Sequence, residues 1–256
     1  MLAEERFESI LKLLDEQGAI SVSELTQLLK TSESTIRRDL TELNRLGLVN
    51  KVHGGATTSN VNYKTKDEDL EYRQALYKDE KIRIAKYCAA LINDKDFVFL
   101  DAGSTVGLMI DYLKTTTAVF VTNAIDHAHK LATNGHKVHI LNGELKSSTE
   151  AVVGSETVEC LEKYNFTKGF FGANGISLKA GFTTPESNEA LVKKKALSKC
   201  REKYIVCDAS KFNQISSVTF CSFKDATIIT NKIEDSAYTN CNNIVEVVNS
   251  DLYSDI

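Results

Sequence analysis

The chain has 256 residues, 42% of them hydrophobic and 26% charged, with a formal net charge of −4. This is ordinary globular composition with enough apolar residues for a sizeable core, in one large domain or in a small and a medium one. No apolar run approaches the roughly 20 residues that cross a bilayer, which argues against a membrane span, and the acidic balance gives no sign of a nucleic-acid partner. Six cysteines, at 88, 160, 200, 207, 221 and 241, form no Cys-x-x-Cys pair and no cluster with the five histidines. Scattered thiols of this kind, with no leader segment read, point to a reducing cytoplasm, and no metal or cofactor site is expected.

Glu4 to Gln17 places Phe7, Ile10, Leu11 and Leu14 at helical spacing, and Gly18 ends the run. Ser21 followed by Glu24 reads as a capping box, and Leu25, Leu28 and Leu29 give a short amphipathic helix. Thr31 and Ser32 break that helix and cap a second one with Ile36, Leu40, Leu43 and Leu46 on one face, stopped by Gly47. Opposite that stripe lie Ser34, Thr35, Arg37, Arg38 and Thr41. A short helix, a tight turn and a longer helix with a basic outer face predict a helix-turn-helix that reads the DNA major groove. Leu48 to His53 alternates and runs into Gly54-Gly55, as a hairpin wing does. Residues 1–60 hold seven Lys and Arg against nine Asp and Glu, so the basic character is a local face and not a property of the whole segment.

Thr57 to Lys66 is polar and aperiodic and reads as a linker. Asp67 to Ile92 is strongly charged, with a helix expected in its second half. From Phe97 onward short apolar runs alternate with helical patterns, which predicts βαβ units and a mostly parallel, three-layer sheet. Expected strands cover 97–100, 118–121, 138–141, 169–171, 204–207 and 226–229, and expected helices 106–113, 125–132, 152–161 and 190–197. Ligands of such sheets sit at the carboxyl ends of the strands. Those ends read Asp101-Ala102-Gly103-Ser104-Thr105, Thr122-Asn123, Asn142-Gly143-Glu144, Gly172-Ala173-Asn174-Gly175 and Asp208-Ala209-Ser210-Lys211. Each alone is a helix cap; five in register favour a pocket for a phosphorylated polar molecule.

The run SESTIRRDLTELNRLGLVNKVHGGA resembles the winged helix-turn-helix signature of the DeoR family of bacterial transcription repressors. DAGST, VTN, LNGE, FGANGI, GFTTPE and CDASKF, in that order, resemble the sensor domain of the same family, whose fold is similar to ribose-5-phosphate isomerase A. The resemblance implies a winged helix-turn-helix over 1–56, a linker and connecting helix over 57–93, and a sugar-phosphate-sensing α/β domain over 94–256. It implies that Ser34, Thr35, Arg37, Arg38 and Thr41 face DNA and that Lys51 and His53 of the wing touch phosphate or the minor groove. It also implies that Asp101, Gly103, Ser104, Thr105, Asn123, Gly143 and Lys211 help hold a sugar phosphate. A lysine among 193–195 joins them: Lys194, with Lys193 and Lys195 left open beside it. Glu144 stands where the family often has a second glycine, and a carboxylate there would exclude a second phosphate or bond a sugar hydroxyl. MLAEERFESILKLL, SESTIRRDL and GFTTPESNEAL resemble the fructose-operon branch of the family, which implies fructose 1-phosphate as effector, with tagatose 6-phosphate or another ketose phosphate as alternatives.

The expected partners are operator DNA, that effector and further copies of the chain, in a cytoplasmic homo-oligomer, with no membrane. The rival reading is a sugar-phosphate isomerase carrying an added DNA-binding domain. Aldose–ketose isomerisation needs a carboxylate base beside the carbon that loses its proton. The strand end of the related isomerase reads Asp-Gly-Ala-Asp-Glu, and Phe171-Gly172-Ala173-Asn174-Gly175 stands there in this chain. Both aspartates are replaced, so a non-enzymatic sensor is the expected function.

Overall fold

The computed structural model describes residues 3–17, 19–45, 48–52, 54–58, 62–64 and 77–247. The chain folds into two compact units, one of Met1–Val61 with Ile233–Cys241 and another of Asn62–Lys232 with Asn242–Ile256.

The first unit runs α1 (Ala3–Gln17), β1 (Ala19–Ser21), α2 (Val22–Leu28), α3 (Glu33–Arg45), β2 (Val49–Val52) and β3 (Gly55–Thr58). The capping box forms: the Glu24 amide donates to Ser21 Oγ at 3.1 Å, and Glu24 accepts from the Ser21 amide at 2.9 Å. Ser32 Oγ accepts from the Thr35 amide at 3.2 Å and so starts α3. Ile10, Leu14, Leu25, Ile36, Leu40 and Leu43 are buried in one core; each such side chain contributes roughly 1.5–3 kcal/mol on burial. Strands β2 and β3 form the expected antiparallel wing, and β1 adds a third strand in the order β1-β3-β2. Gly54, at φ +86, makes the hairpin's left-handed step. Gly18, Leu46, Gly47 and His53, named in the sequence analysis, lie outside the described residues.

The second unit begins with β4 (Asn62–Lys64), inside the stretch read as linker, which pairs in parallel with a later strand at Gln214–Ser216. A polar three-residue strand on a sheet edge has no periodicity to reveal it. Helix α4 (Lys78–Ala90) follows; residues 65–76, the first half of the charged segment, are outside the described set. The chain continues through β5 (Phe97–Leu100), α5 (Ser104–Met109), β6 (Val119–Thr122), α6 (Ile125–Thr133) and β7 (Lys137–Ile140). Next come β8 (Glu144–Lys146), β9 (Ala151–Val153), α7 (Ser155–Cys160), β10 (Phe166–Phe171), β11 (Gly175–Ser177) and β12 (Gly181–Thr184). Helix α8 (Ser187–Ser198), β13 (Cys200–Val206), β14 (Gln214–Ser216), β15 (Val218–Cys221), β16 (Thr227–Thr230) and β17 (Ile244–Glu246) complete it.

Seven strands form one fully parallel sheet in the order β17-β16-β13-β10-β5-β6-β7. Val98, Leu100, Phe120, Phe170 and Val206 pack on one face with Ile84, Ala85 and Cys88 of α4. Phe99, Val121, Phe171 and Ile205 alternate onto the other face and are also buried, so both faces are covered, as parallel sheets require. Phe99 and Phe171 stack there at 5.3 Å between ring centroids. The expected helix over 152–161 begins instead as β9; Gly154, at φ +105, breaks the strand and α7 starts after it. No helix among the described residues is long and apolar enough to cross a membrane.

Candidate functional site

Two sites take shape, one in each unit. In the first, Ser34, Arg37, Arg38 and Thr41 project from the exposed side of α3, and Thr35 is half-buried beside them. Their opposite, apolar neighbours hold the helix down, and a buried Asp39 fixes its register. Asp39 accepts two hydrogen bonds from the Arg6 guanidinium of α1, at 2.7 and 3.1 Å. Arg37 leans on Glu33 at 3.3 Å, an exposed pair worth little by itself, whereas Arg38 makes no ion pair among the described residues. The wing is stitched to α3 by Lys51, whose amide donates to Asn44 Oδ1 at 2.7 Å and whose ammonium donates to Thr41 Oγ1 at 2.7 Å. Recognition helix and wing therefore present one polar surface with Arg37, Arg38 and Lys51 on it. The wing histidine, His53, is outside the described residues.

In the second unit the carboxyl ends of β5, β6, β10 and β13 open into a cleft of about 670 Å³, its open side included. Gly103, Ser104, Thr105, Asn123 and Lys211 line it, together with Asp101. Close approach of the strand ends after β5 and β10 shapes its floor. A Cβ added at Gly103 would lie 3.4 Å from the Gly172 Cα, and one added at Gly172 would lie 3.5 Å from the Gly103 Cα, so side chains beyond a methyl group would crowd the gap. Asp208 caps a short 3-10 turn, Ala209–Lys211, by accepting from the Ser210 amide at 3.1 Å, and this turn delivers Lys211 to the cleft. Among the described residues the Lys211 ammonium makes no ion pair, and the hydroxyls of Ser104 and Thr105 are likewise without an intramolecular partner. Helix α5 has only six residues, so its dipole adds little to the hydroxyls and lysines of the cleft.

Two expectations are corrected. Lys194 is exposed and does not line the cleft; the lysine that does is Lys193, buried at 7% exposure. Its ammonium donates to Asp101 and, at 3.1 Å, to the Gly172 carbonyl, and it lies 5.6 Å from the centre of the Phe220 ring. Lys195 turns the other way, to Glu162. Gly143 also lies outside the cleft lining: at φ +142 its missing Cβ makes room for Thr157 Oγ1, which donates to the Asn142 carbonyl at 2.8 Å. Glu144 beside it is exposed and does not line the cleft.

Sequence reasoning missed Lys81, Thr149 and Glu189, all of which line the cleft, as does Asn174 of the expected strand ends. Lys81 is 3% exposed on α4 and Glu189 8% exposed on α8. Neither stands at a strand end. A buried charge on a helix face was the available signal, and one that only packing reveals. Behind the cleft, His127 of α6 packs against Gly107 and is 7% exposed, and burial pushes its pKa down to about 4.

A sequence model of the DeoR C terminal sensor domain matches residues 77–232, and one of the DeoR-like helix-turn-helix domain matches residues 6–61. The chain belongs to the DeoR family of transcriptional regulators. Among relatives, it is 37% identical to the uncharacterized HTH-type transcriptional regulator FruR of Bacillus subtilis, over 94% of this chain and 95% of that protein. It is 34% identical to the lactose phosphotransferase system repressor of Streptococcus mutans, over 97% of this chain and 100% of that one. Solved structures are less alike: ribose 5-phosphate isomerase A from Methanocaldococcus jannaschii aligns with a TM-score of 0.40 at 17% identity over 53% of this chain and 54% of the other. The full-length sorbitol operon regulator SorC of Klebsiella pneumoniae aligns at 0.37 and 11% identity over 80% and 89%.

Proposed function

We propose that the chain is an operator-binding repressor of a sugar-utilisation operon, released from DNA when its cleft takes up a phosphorylated ketose, fructose 1-phosphate in the first instance. Lys211, without an ion pair among the described residues, and the hydroxyls of Ser104 and Thr105, without a partner among them, line the same cleft and carry the phosphate part of this reading. Each of the three can donate to a phosphate dianion. The ketose identity rests on the resemblance to fructose-operon repressors, with tagatose 6-phosphate as the alternative.

On the DNA side, Ser34, Thr35, Arg37, Arg38 and Thr41 meet the major groove, and Lys51 and His53 the adjoining backbone or minor groove. We place the protein in the cytoplasm as a homo-oligomer whose paired winged helices match two operator half-sites. Effector binding favours a spacing that mismatches them, and the operator affinity lost cannot exceed the effector's preference between the two states.

Binding without turnover is supported by the state of the cleft carboxylates. Asp101 accepts from Lys193 and from the Gly172 amide at 3.0 Å, Asp208 from Ser210, and Glu189 from Lys146 and Thr149, both at 2.9 Å. A general base for isomerisation must be within reach of a substrate proton and free to take it, and Asp101 and Asp208, the carboxylates at the strand ends, are already engaged.

The test is fluorescence anisotropy of the full chain on DNA from upstream of its own gene, titrated with sugar phosphates. Release by one ketose phosphate and not by its isomers is the expected result. Tight DNA binding indifferent to every sugar phosphate overturns the sensor reading.

A further inference from the structure

The cleft is chemically uneven. Besides its lysine and hydroxyl corner it presents acceptors. Glu189 Oε1 takes hydrogen bonds from Lys146 of β8 and from Thr149, while its Oε2 has a single longer one, at 3.3 Å, from Thr184 of β12. Asn123, 2% exposed, donates its amide to the Val152 carbonyl at 3.2 Å, and its Oδ1 has no partner among the described residues. That amide orientation is set by Val152, since the flipped form would bring two oxygens together. Asn123 Oδ1 is thus a buried acceptor without a donor among the described residues, which is costly, and Glu189 Oε2, with one hydrogen bond of 3.3 Å, has room for another.

We infer that Glu189 is the specificity-determining residue of the cleft, holding it to ligands with one phosphate and a hydroxyl-bearing chain and rejecting bisphosphates. Sugar hydroxyls donate to carboxylate and amide oxygens. A phosphate dianion has only acceptors and negative charge, so it can bond neither Glu189 Oε2 nor Asn123 Oδ1 and is repelled by the former. Lys146 offsets part of the Glu189 charge from the outer side of the cleft, where it also lies 3.7 Å from Glu186. Glu144, read from the sequence as the selective carboxylate, is exposed and does not line the cleft, and Glu189 of α8 takes that role. The inference rests on the sugar-phosphate reading above.

The experiment titrates the full-chain operator complex with fructose 1-phosphate, tagatose 6-phosphate and the 1,6-bisphosphates of both ketoses, for the unaltered protein, Glu189→Gln and Lys146→Met. The unaltered protein should respond to the better monophosphate at concentrations on the order of 100-fold lower than to its bisphosphate. Glu189→Gln should bring that ratio below about tenfold, because the amide keeps the shape and loses the charge. Lys146→Met should raise the ratio above that of the unaltered protein, because it leaves the Glu189 charge less compensated. A folding defect would move both variants the same way, so opposite shifts separate selectivity from stability. Equal response of the unaltered protein to mono- and bisphosphates, or an unchanged ratio in Glu189→Gln, overturns the inference while leaving the sensor reading intact. No release by any of the four compounds takes down both.

Discussion

The Lys193 ammonium and the Asp101 carboxylate form a buried ion pair, with side-chain exposures of 8% and 3%, that joins α8 to the end of β5 across the cleft. The Asp101 carboxylate also accepts from the Gly172 amide at 3.0 Å, so one pair ties three elements around the cleft together. The chain's own residues thereby hold the site in shape.

Removing one partner of such a pair strands the other charge. Lys193→Met is expected to destabilise the sensor unit by about 3–5 kcal/mol. Lys194→Met, one residue on and exposed, should stay within about 0.5 kcal/mol of the unaltered protein. Urea unfolding of the two variants side by side checks this, and equal midpoints would refute the assignment of Lys193 to the cleft.

Arg37→Ala should weaken operator binding by about 1–3 kcal/mol and relax preference at one base position, as loss of a base contact does. Lys51→Ala should instead weaken all sequences alike and lower the salt slope by about 1, as loss of a phosphate contact does. Titrations on operator and scrambled DNA at several salt concentrations distinguish the two.

Lys211→Met should shift the sugar-phosphate midpoint for operator release upward at least about tenfold, since a charge-assisted contact to phosphate is worth about 1.5–3 kcal/mol. The sugar-free operator affinity of each protein serves as its reference. A Lys211→Met protein released at the original concentration would remove this residue from the phosphate corner.

His127 imposes a pH dependence. Burial holds its pKa near 4 in the folded state, against the ordinary 6.5, so the unfolded chain takes up the proton first. Stability therefore falls as pH drops from about 6.5 to about 4, by roughly 3 kcal/mol from this group at the lower end. Carboxylates titrate in part of the same window, so the diagnostic is the difference between the unaltered protein and His127→Gln, whose stability should decline less over that range. Parallel curves would show that the ring is not buried in solution.

Gly143→Ala should lower the melting temperature by several degrees without a selective effect on the sugar-phosphate response. An alanine Cβ there would collide with Thr157 Oγ1 and the Val153 carbonyl, at a φ of +142. A changed effector midpoint with unchanged melting would return Gly143 to the ligand site.

Much of this protein is written locally in its chain. Ser21 and Glu24 sit three apart and close a capping box whatever surrounds them, and the spacing of Ile36, Leu40 and Leu43 makes the amphipathic α3 by helical geometry alone. The alternation of apolar runs and helical stretches is likewise short-range, and it announces the parallel sheet and the strand ends bearing Ser104, Asn123 and Lys211. What remained hidden depends on how elements lie against one another. Three consecutive lysines on α8 point about 100° apart, and only the seating of that helix on the sheet decides that Lys193 enters the cleft, Lys194 meets solvent and Lys195 meets Glu162. Lys81 and Glu189 reach the same cleft from helices distant in sequence. Gly143 and Glu144, in line with the ligand residues along the chain, are turned away by the hairpin of β8 and β9. Periodicity tells which face of an element is buried; which neighbour it is buried against is a property of the packed sheet, and the cleft is made of those neighbours.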